Sequence, residues 1–104
     1  MTVDVRRLGS KGCLAISGDP YLTSTSCFAL SSARSTGVYT VISPVEGEAP
    51  SLVVGFLPDR ARRALVTVGD APTLGKTRSR IFLAELGPGA LGPNGDRPVD
   101  VEFD

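Results

Sequence analysis

The most apolar run of the chain is Leu52-Val53-Val54-Gly55-Phe56-Leu57. The turn residues Pro58-Asp59 follow it, and a second apolar segment, Ala64-Leu65-Val66-Thr67-Val68, comes shortly after. β-branched and aromatic residues favour strands. Pro-Asp favours a tight turn, because proline fixes φ and aspartate bonds its own backbone. The pattern therefore predicts a central strand, a turn and a further strand.

Other short strands are predicted on both sides of this pair. Val3 and Val5 alternate with polar residues, a period of two that is typical of a half-exposed strand. The remaining predicted strands are 13–17, 38–42, 79–86 and 99–103. Loops are predicted at 44–50 (an acidic loop with Glu46 and Glu48), 69–75 and 87–98. Residues 28–33 fit either a short helical turn or irregular structure.

Turn signals recur roughly every ten residues, which is typical of a small all-β protein. No segment offers three helical turns of periodic apolar residues with caps at both ends. The 104 residues are expected to form one domain, 1–104, with an all-β sandwich of six or seven mostly antiparallel short strands. The predicted core residues are Val41, Val54, Phe56, Val66, Val68, Phe82 and Leu86.

The charge balance and hydropathy exclude several partners. Eleven basic residues balance eleven acidic ones, so the chain lacks the cationic excess that nucleic-acid binding draws on. Its longest strongly apolar run is far shorter than the ~20 residues of a membrane span. The first residues contain no apolar signal-peptide core, which leaves either a cytosolic protein or one whose signal or anchor has been removed.

The chemistry of catalysis is poorly represented. The chain has no histidine, which is the usual general base and the commonest metal ligand. A serine nucleophile would need a lysine base, and neither Lys11 nor Lys76 stands in a Ser-x-x-Lys arrangement. Two cysteines alone leave zinc two ligands short. We expect no catalytic residues, no cofactor and no metal site.

Two glycine-rich segments resemble phosphate-binding motifs without fulfilling them. Gly69 precedes Gly75-Lys76-Thr77 by one residue more than a P-loop allows, and the acidic Asp70 occupies the correctly spaced position. Residues 87–92 match G-x-G-x-x-G, but Pro93 prevents the helix that a dinucleotide site requires. Both segments are predicted to be loops, and a nucleotide-binding enzyme is the least favoured hypothesis.

The two cysteines, Cys13 and Cys27, lie close together in the sequence. Joining them would close a loop of about 14 residues and stabilise the fold by ~3 kcal/mol on the chain-entropy estimate. The enclosed segment has little apolar content of its own. The pair favours a disulfide and an oxidising compartment. The alternative is two free thiols.

A basic cluster is predicted from two segments that would gather at one end of a sheet if they paired as a hairpin. Its members are Arg60, Arg62, Arg63, Lys76, Arg78 and Arg80. Such a patch could bind an acidic partner. The alternative is a solvated edge whose positive charge discourages aggregation.

Several segments resemble a known group of domains. Gly55-Phe56-Leu57-Pro58-Asp59, followed by 64–68, resembles a strand–turn–strand pattern of small extracytoplasmic β-domains in uncharacterised actinobacterial proteins. The segments 12–15 and 26–29 look like the two-cysteine region of those domains, and 81–84 and 99–103 are similar to their later strands. The resemblance implies an extracytoplasmic β-sandwich and carries no binding or catalytic residues.

The leading hypothesis is a non-enzymatic, extracytoplasmic recognition or structural module. Its expected partner is another protein or a component of the cell envelope. The alternative is a small cytosolic inhibitor or immunity-type protein that binds one protein partner through the basic cluster and keeps two free thiols.

Overall fold

The computed structural model describes residues 1–45, 49–87 and 89–104, which form ten strands and one short helix. In chain order the elements are β1 (Thr2–Leu8), β2 (Lys11–Ser17), β3 (Ser24–Ala29), α1 (Leu30–Thr36), β4 (Val38–Ile42), β5 (Leu52–Phe56), β6 (Ala64–Val68), β7 (Ala71–Leu74), β8 (Lys76–Arg78), β9 (Ile81–Glu85) and β10 (Val99–Phe103). The predicted all-β class is confirmed.

The strand count exceeds the predicted six or seven. The three additional strands are β3 at 24–29, β7 at 71–74, where a loop was predicted, and the short β8, which follows directly after Gly75. β7 and β8 are short and mostly exposed, so neither carries the apolar alternation on which the prediction relied. Glu46 and Glu48 of the predicted acidic loop, and Pro88 of the predicted loop 87–98, lie outside the described residues.

The strands form three antiparallel sheets. The N-terminal sheet has the order β1-β2-β3, the central sheet β4-β5-β9-β8, and the C-terminal sheet β10-β6-β7. The chain passes from the C-terminal sheet back to the central sheet at Gly75, between β7 and β8.

The central sheet is covered on both faces. Leu52, Val54 and Phe56 of β5 belong to a cluster with Leu14 and Ile16 of the N-terminal sheet. Val53, which lies between Leu52 and Val54, points to the opposite face and belongs to a second cluster that includes side chains of the C-terminal sheet. All five residues of β5 are buried, which explains why the apolar run at 52–57 shows no polar alternation.

Strand β9 divides its side chains in the same way. Phe82 and Ala84 pack in the cluster shared with the C-terminal sheet. Ile81 and Leu83 pack against the cluster shared with the N-terminal sheet. The molecule is thus a stack of three layers with one apolar cluster on each side of the central sheet.

The predicted core is buried with one exception. The buried members are Val54, Phe56, Val66, Val68, Phe82 and Leu86. The prediction for Val41 is wrong, because its side chain is 37% exposed. Val41 lies on β4, an edge strand of the four-stranded central sheet, on the face that the three-stranded C-terminal sheet must cover. The smaller sheet leaves this edge open to solvent.

The predicted cysteine pair lies across the N-terminal sheet. Cys13 on β2 is directly opposite Cys27 on β3, and their sulfur atoms are 2.11 Å apart, at the distance of a disulfide. Cys13 is buried, whereas Cys27 is exposed. The bond joins neighbouring strands of the layer that covers one face of the central sheet.

Candidate recognition cleft

A cleft of 470 Å³ opens between strand β1 of the N-terminal sheet and strand β8 of the central sheet. Both are edge strands of their sheets. Val3 and Val5 of β1 form one wall, and residues 76–79 form the other. The volume lies within the ~300–1,000 Å³ that is usual for binding sites.

The floor of the cleft is apolar and its β8 wall is cationic. The register of the β8–β9 hairpin places Lys76 opposite Leu83 and Arg78 opposite Ile81. Residues opposite each other in an antiparallel pair share a face, so both cations lie on the face that carries these two apolar side chains. The cleft therefore combines apolar contact area with two positive charges.

The turn that presents β8 adopts an unusual backbone conformation. Ser79 and Arg80, the two residues between β8 and β9, have φ values of 49° and 72°. Two-residue hairpin loops favour positive φ at both positions, but usually with asparagine or glycine. Neither residue here is a glycine, so the turn depends on contacts outside itself.

Arg80 supplies those contacts. Its guanidinium donates hydrogen bonds to the carbonyl oxygens of Ala61 (3.3 Å), Leu57 (3.4 Å) and Pro58. The backbone N–H of Leu57 in turn donates to the carbonyl oxygen of Arg80, at 2.7 Å. These bonds attach the β8–β9 turn to the loop after β5, and they fix the position of the cationic wall.

The structure brings the predicted basic cluster together only in part. Segments 60–63 and 76–80 do not pair as a hairpin, because β8 pairs with β9. They do approach each other at the open end of the β6–β7 hairpin, where Gly75 N–H donates to the carbonyl oxygen of Ala64 at 2.9 Å. From there 76–78 continue as β8 of the central sheet, whereas 60–63 lie in the loop before β6 of the C-terminal sheet.

The six predicted basic residues have different surroundings. Arg63 forms a salt bridge with Asp104, and Arg80 holds the loop 57–61. Arg60 and Arg62 are exposed in the loop before β6. Only Lys76 and Arg78 of the six line the cleft between β1 and β8.

The apolar residues of the cleft were not predicted as site residues. Val3, Val5, Ile81 and Leu83 show only the alternation of ordinary strand residues. The signal that would find them is the presence of two edge strands in different layers on the same side of the stack. That relationship depends on the sheet order, which sequence periodicity does not contain.

The segment that resembles a P-loop folds as strands. Residues 71–74 form β7 and 76–78 form β8, and the chain then turns into β9. A phosphate site of this type needs the N-terminus of a helix at that point. Within the described ranges, the structure brings no three histidine, cysteine, aspartate or glutamate side chains together as a metal site.

Among the titratable groups of the described residues, Tyr21 is the one whose pKa the fold clearly shifts. Its hydroxyl donates a hydrogen bond to the carbonyl oxygen of Pro50 at 2.5 Å. Burial, followed by the negative charge of Glu85, raises the pKa of Tyr21 above its usual value of about 10. Tyr21 packs in the apolar cluster between the N-terminal and central sheets and therefore has a structural role.

Comparisons with known proteins leave the fold and the cleft as the basis for a functional proposal. No protein-family model matches the chain, and searches of curated proteins and of solved structures found no matching protein. Among the helices of the described residues, none is long and apolar enough to cross a membrane.

Proposed function

We propose that this protein is a non-catalytic recognition module that binds a protein partner through the cleft between β1 and β8. The observation that carries the proposal is the combination of the apolar floor with the two cations, Lys76 and Arg78. Apolar area provides binding free energy, while charges on the wall select the partner and its orientation. The partner segment that fits has apolar side chains and at least one carboxylate.

The proposed compartment is extracytoplasmic and oxidising. The distance between the sulfur atoms of Cys13 and Cys27 supports it, because structural disulfides persist in such compartments. A component of the cell envelope is therefore the proposed source of the partner. The resemblance to small extracytoplasmic actinobacterial β-domains is part of this proposal.

Charge reversal in the cleft tests the binding surface. A photo-reactive cross-linker at Thr77, which also lines the cleft, is used to capture partners from an envelope extract of the native host. We expect Lys76→Glu/Arg78→Glu to abolish the specific adduct. The matched control is Arg60→Glu/Arg62→Glu, which reverses two exposed cations outside the cleft. Loss of binding in the control alone would favour an inhibitor that binds through the loop before β6.

The redox state of the cysteines tests the compartment separately. Differential alkylation of protein from the native host, with and without reductant, distinguishes a bonded pair from two free thiols. We expect alkylation only after reduction. Two thiols that react without reductant would contradict the extracytoplasmic proposal and favour the cytosolic inhibitor.

A further inference from the structure

Strand β1 offers a long open edge. Within the described part of the chain, β1 pairs with β2 alone, and it is seven residues long. Its residues from Asp4 to Leu8 are exposed, including the apolar side chain of Val5, which is 47% exposed. An edge of this kind is a template for pairing with another chain.

The cysteine pair reveals which backbone groups of β1 face this edge. The Cα atoms of Cys13 and Cys27 are 4.1 Å apart, a short separation that is characteristic of a non-hydrogen-bonded pair. The N–H and C=O of Cys13 must then point away from β3, toward Arg6 of β1. Cys13 and Arg6 therefore form a hydrogen-bonded pair.

The rest of β1 follows by alternation. Hydrogen-bonded and non-hydrogen-bonded pairs alternate along an antiparallel ladder. Val3, Val5 and Arg7, which lie one or three positions from Arg6, consequently direct their N–H and C=O groups away from β2. These three residues can bond a strand that approaches the open edge.

The sequence of β1 is complementary to itself in one antiparallel register. If Val5 lies opposite Val5 of a second copy, Val3 lies opposite Arg7. The N–H and C=O groups of all three residues then point to the shared edge. The same register places Asp4 of each copy directly opposite Arg6 of the other. A shift of two residues in either direction instead places Asp4 opposite Asp4 or Arg6 opposite Arg6, and like charges at this separation are unfavourable.

We propose that two copies of this protein associate by antiparallel pairing of β1 with β1, centred on Val5. The contact is isologous, so each copy uses the same surface and the two Asp4–Arg6 pairs are related by a twofold axis. It would join two three-stranded N-terminal sheets into one sheet of six strands. The exposed ion pairs select the register, and the backbone hydrogen bonds provide the contact.

Sedimentation equilibrium of the full chain at concentrations up to ~1 mM tests the association, because a dimer with a dissociation constant of ~1 mM or less is then appreciably populated. We expect the average mass to rise from that of one chain toward that of two. Asp4→Arg should weaken the association by about tenfold or more, because two attractive contacts become repulsive. Asp4→Arg/Arg6→Asp should restore it, and Asp100→Arg, an exposed reversal on β10, should leave it unchanged.

Hydrogen exchange read by NMR identifies the strand that pairs. We expect the amides of Val3, Val5 and Arg7 to become protected as the protein concentration rises, with no such change in the Asp4→Arg variant. A chain that stays monomeric throughout the concentration range would overturn the proposal. So would a dimer that Asp4→Arg leaves intact, a double variant that does not recover, or protection confined to another strand. Circular dichroism of each variant confirms that it is folded.

Discussion

Gly55 lies so close to the backbone of Val38 that no side chain fits at its position. A Cβ atom on Gly55 would lie 2.0 Å from the carbonyl oxygen of Val38 and 2.9 Å from Cε1 of Phe82. The close contact joins edge strand β4 to the fully buried β5. The glycine within the most apolar run is therefore a packing requirement of the central sheet.

We expect Gly55→Ala to lower the free energy of unfolding by about 3 kcal/mol, because overpacking against backbone forces the strands apart. Urea denaturation followed by circular dichroism measures the change. Gly75→Ala is the matched control, since a Cβ there would make ordinary contacts at 3.4 Å. Equal losses in the two variants would contradict this account of Gly55.

The hydrogen bonds from Arg80 predict different losses of stability in three variants. Arg80→Ala should cost about 1–2 kcal/mol of stability, because it removes a partly exposed guanidinium that bonds three carbonyl groups while positive φ is retained. Arg80→Gly should cost less, because glycine adopts positive φ without strain. Arg60→Ala should change stability by less than about 0.5 kcal/mol. If Arg80→Gly is the more harmful of the two, the backbone conformation contributes no strain. Thermal and urea unfolding measure all three.

The raised pKa of Tyr21 predicts a loss of stability at high pH. Above about pH 10 the unfolded chain releases the phenol proton while the folded protein still holds it. The unfolded state then binds fewer protons, so the free energy of unfolding falls as the pH rises. Tyr21→Phe should remove this contribution to the slope above about pH 10. The same variant should cost about 1 kcal/mol at neutral pH, because the carbonyl of Pro50 loses its hydrogen bond. An unchanged alkaline slope would refute the assignment.

Reduction of the Cys13–Cys27 bond should lower stability by about 3 kcal/mol, the value expected for a loop of this length. Denaturation with and without a phosphine reductant measures the difference. Cys13→Ala/Cys27→Ala is the control and should be insensitive to reductant. Identical curves for the oxidised and reduced wild type would mean that the strand pairing alone holds β2 and β3.

Much of the architecture follows from local sequence patterns. The β-branched segments at 38–42, 52–56 and 64–68 form strands as predicted, and the last two carry seven of the 18 buried hydrophobic residues of the described chain. The prediction that Val41 is buried fails, because alternation identifies which residues share a face but not how far the neighbouring sheet extends. The third layer was missed for the same reason, since burial of β5 on both faces looks in the sequence like any apolar strand.

The sequence identifies single cationic residues of the cleft but not the cleft itself. The spacing of Lys76 and Arg78 puts both side chains on one face of β8, and both line the cleft. Arg63 and Arg80 instead make contacts within the molecule, because Asp104 and the carbonyl groups of 57–61 lie within reach in the folded chain. Spacing identifies cations that share a face, but it does not show which of them the fold itself uses.

The three-layer arrangement restricts how this chain can be shortened. Strands of the central sheet come from 38–42, 52–56 and 76–85, and those of the C-terminal sheet lie between and after them in the sequence. Removal of β10 would uncover Val66 and Val68 beside it, and removal of β1–β3 would leave Leu52, Val54 and Phe56 facing water. We therefore expect neither fragment to fold on its own, and a tag, fusion or deletion series should leave all three layers intact.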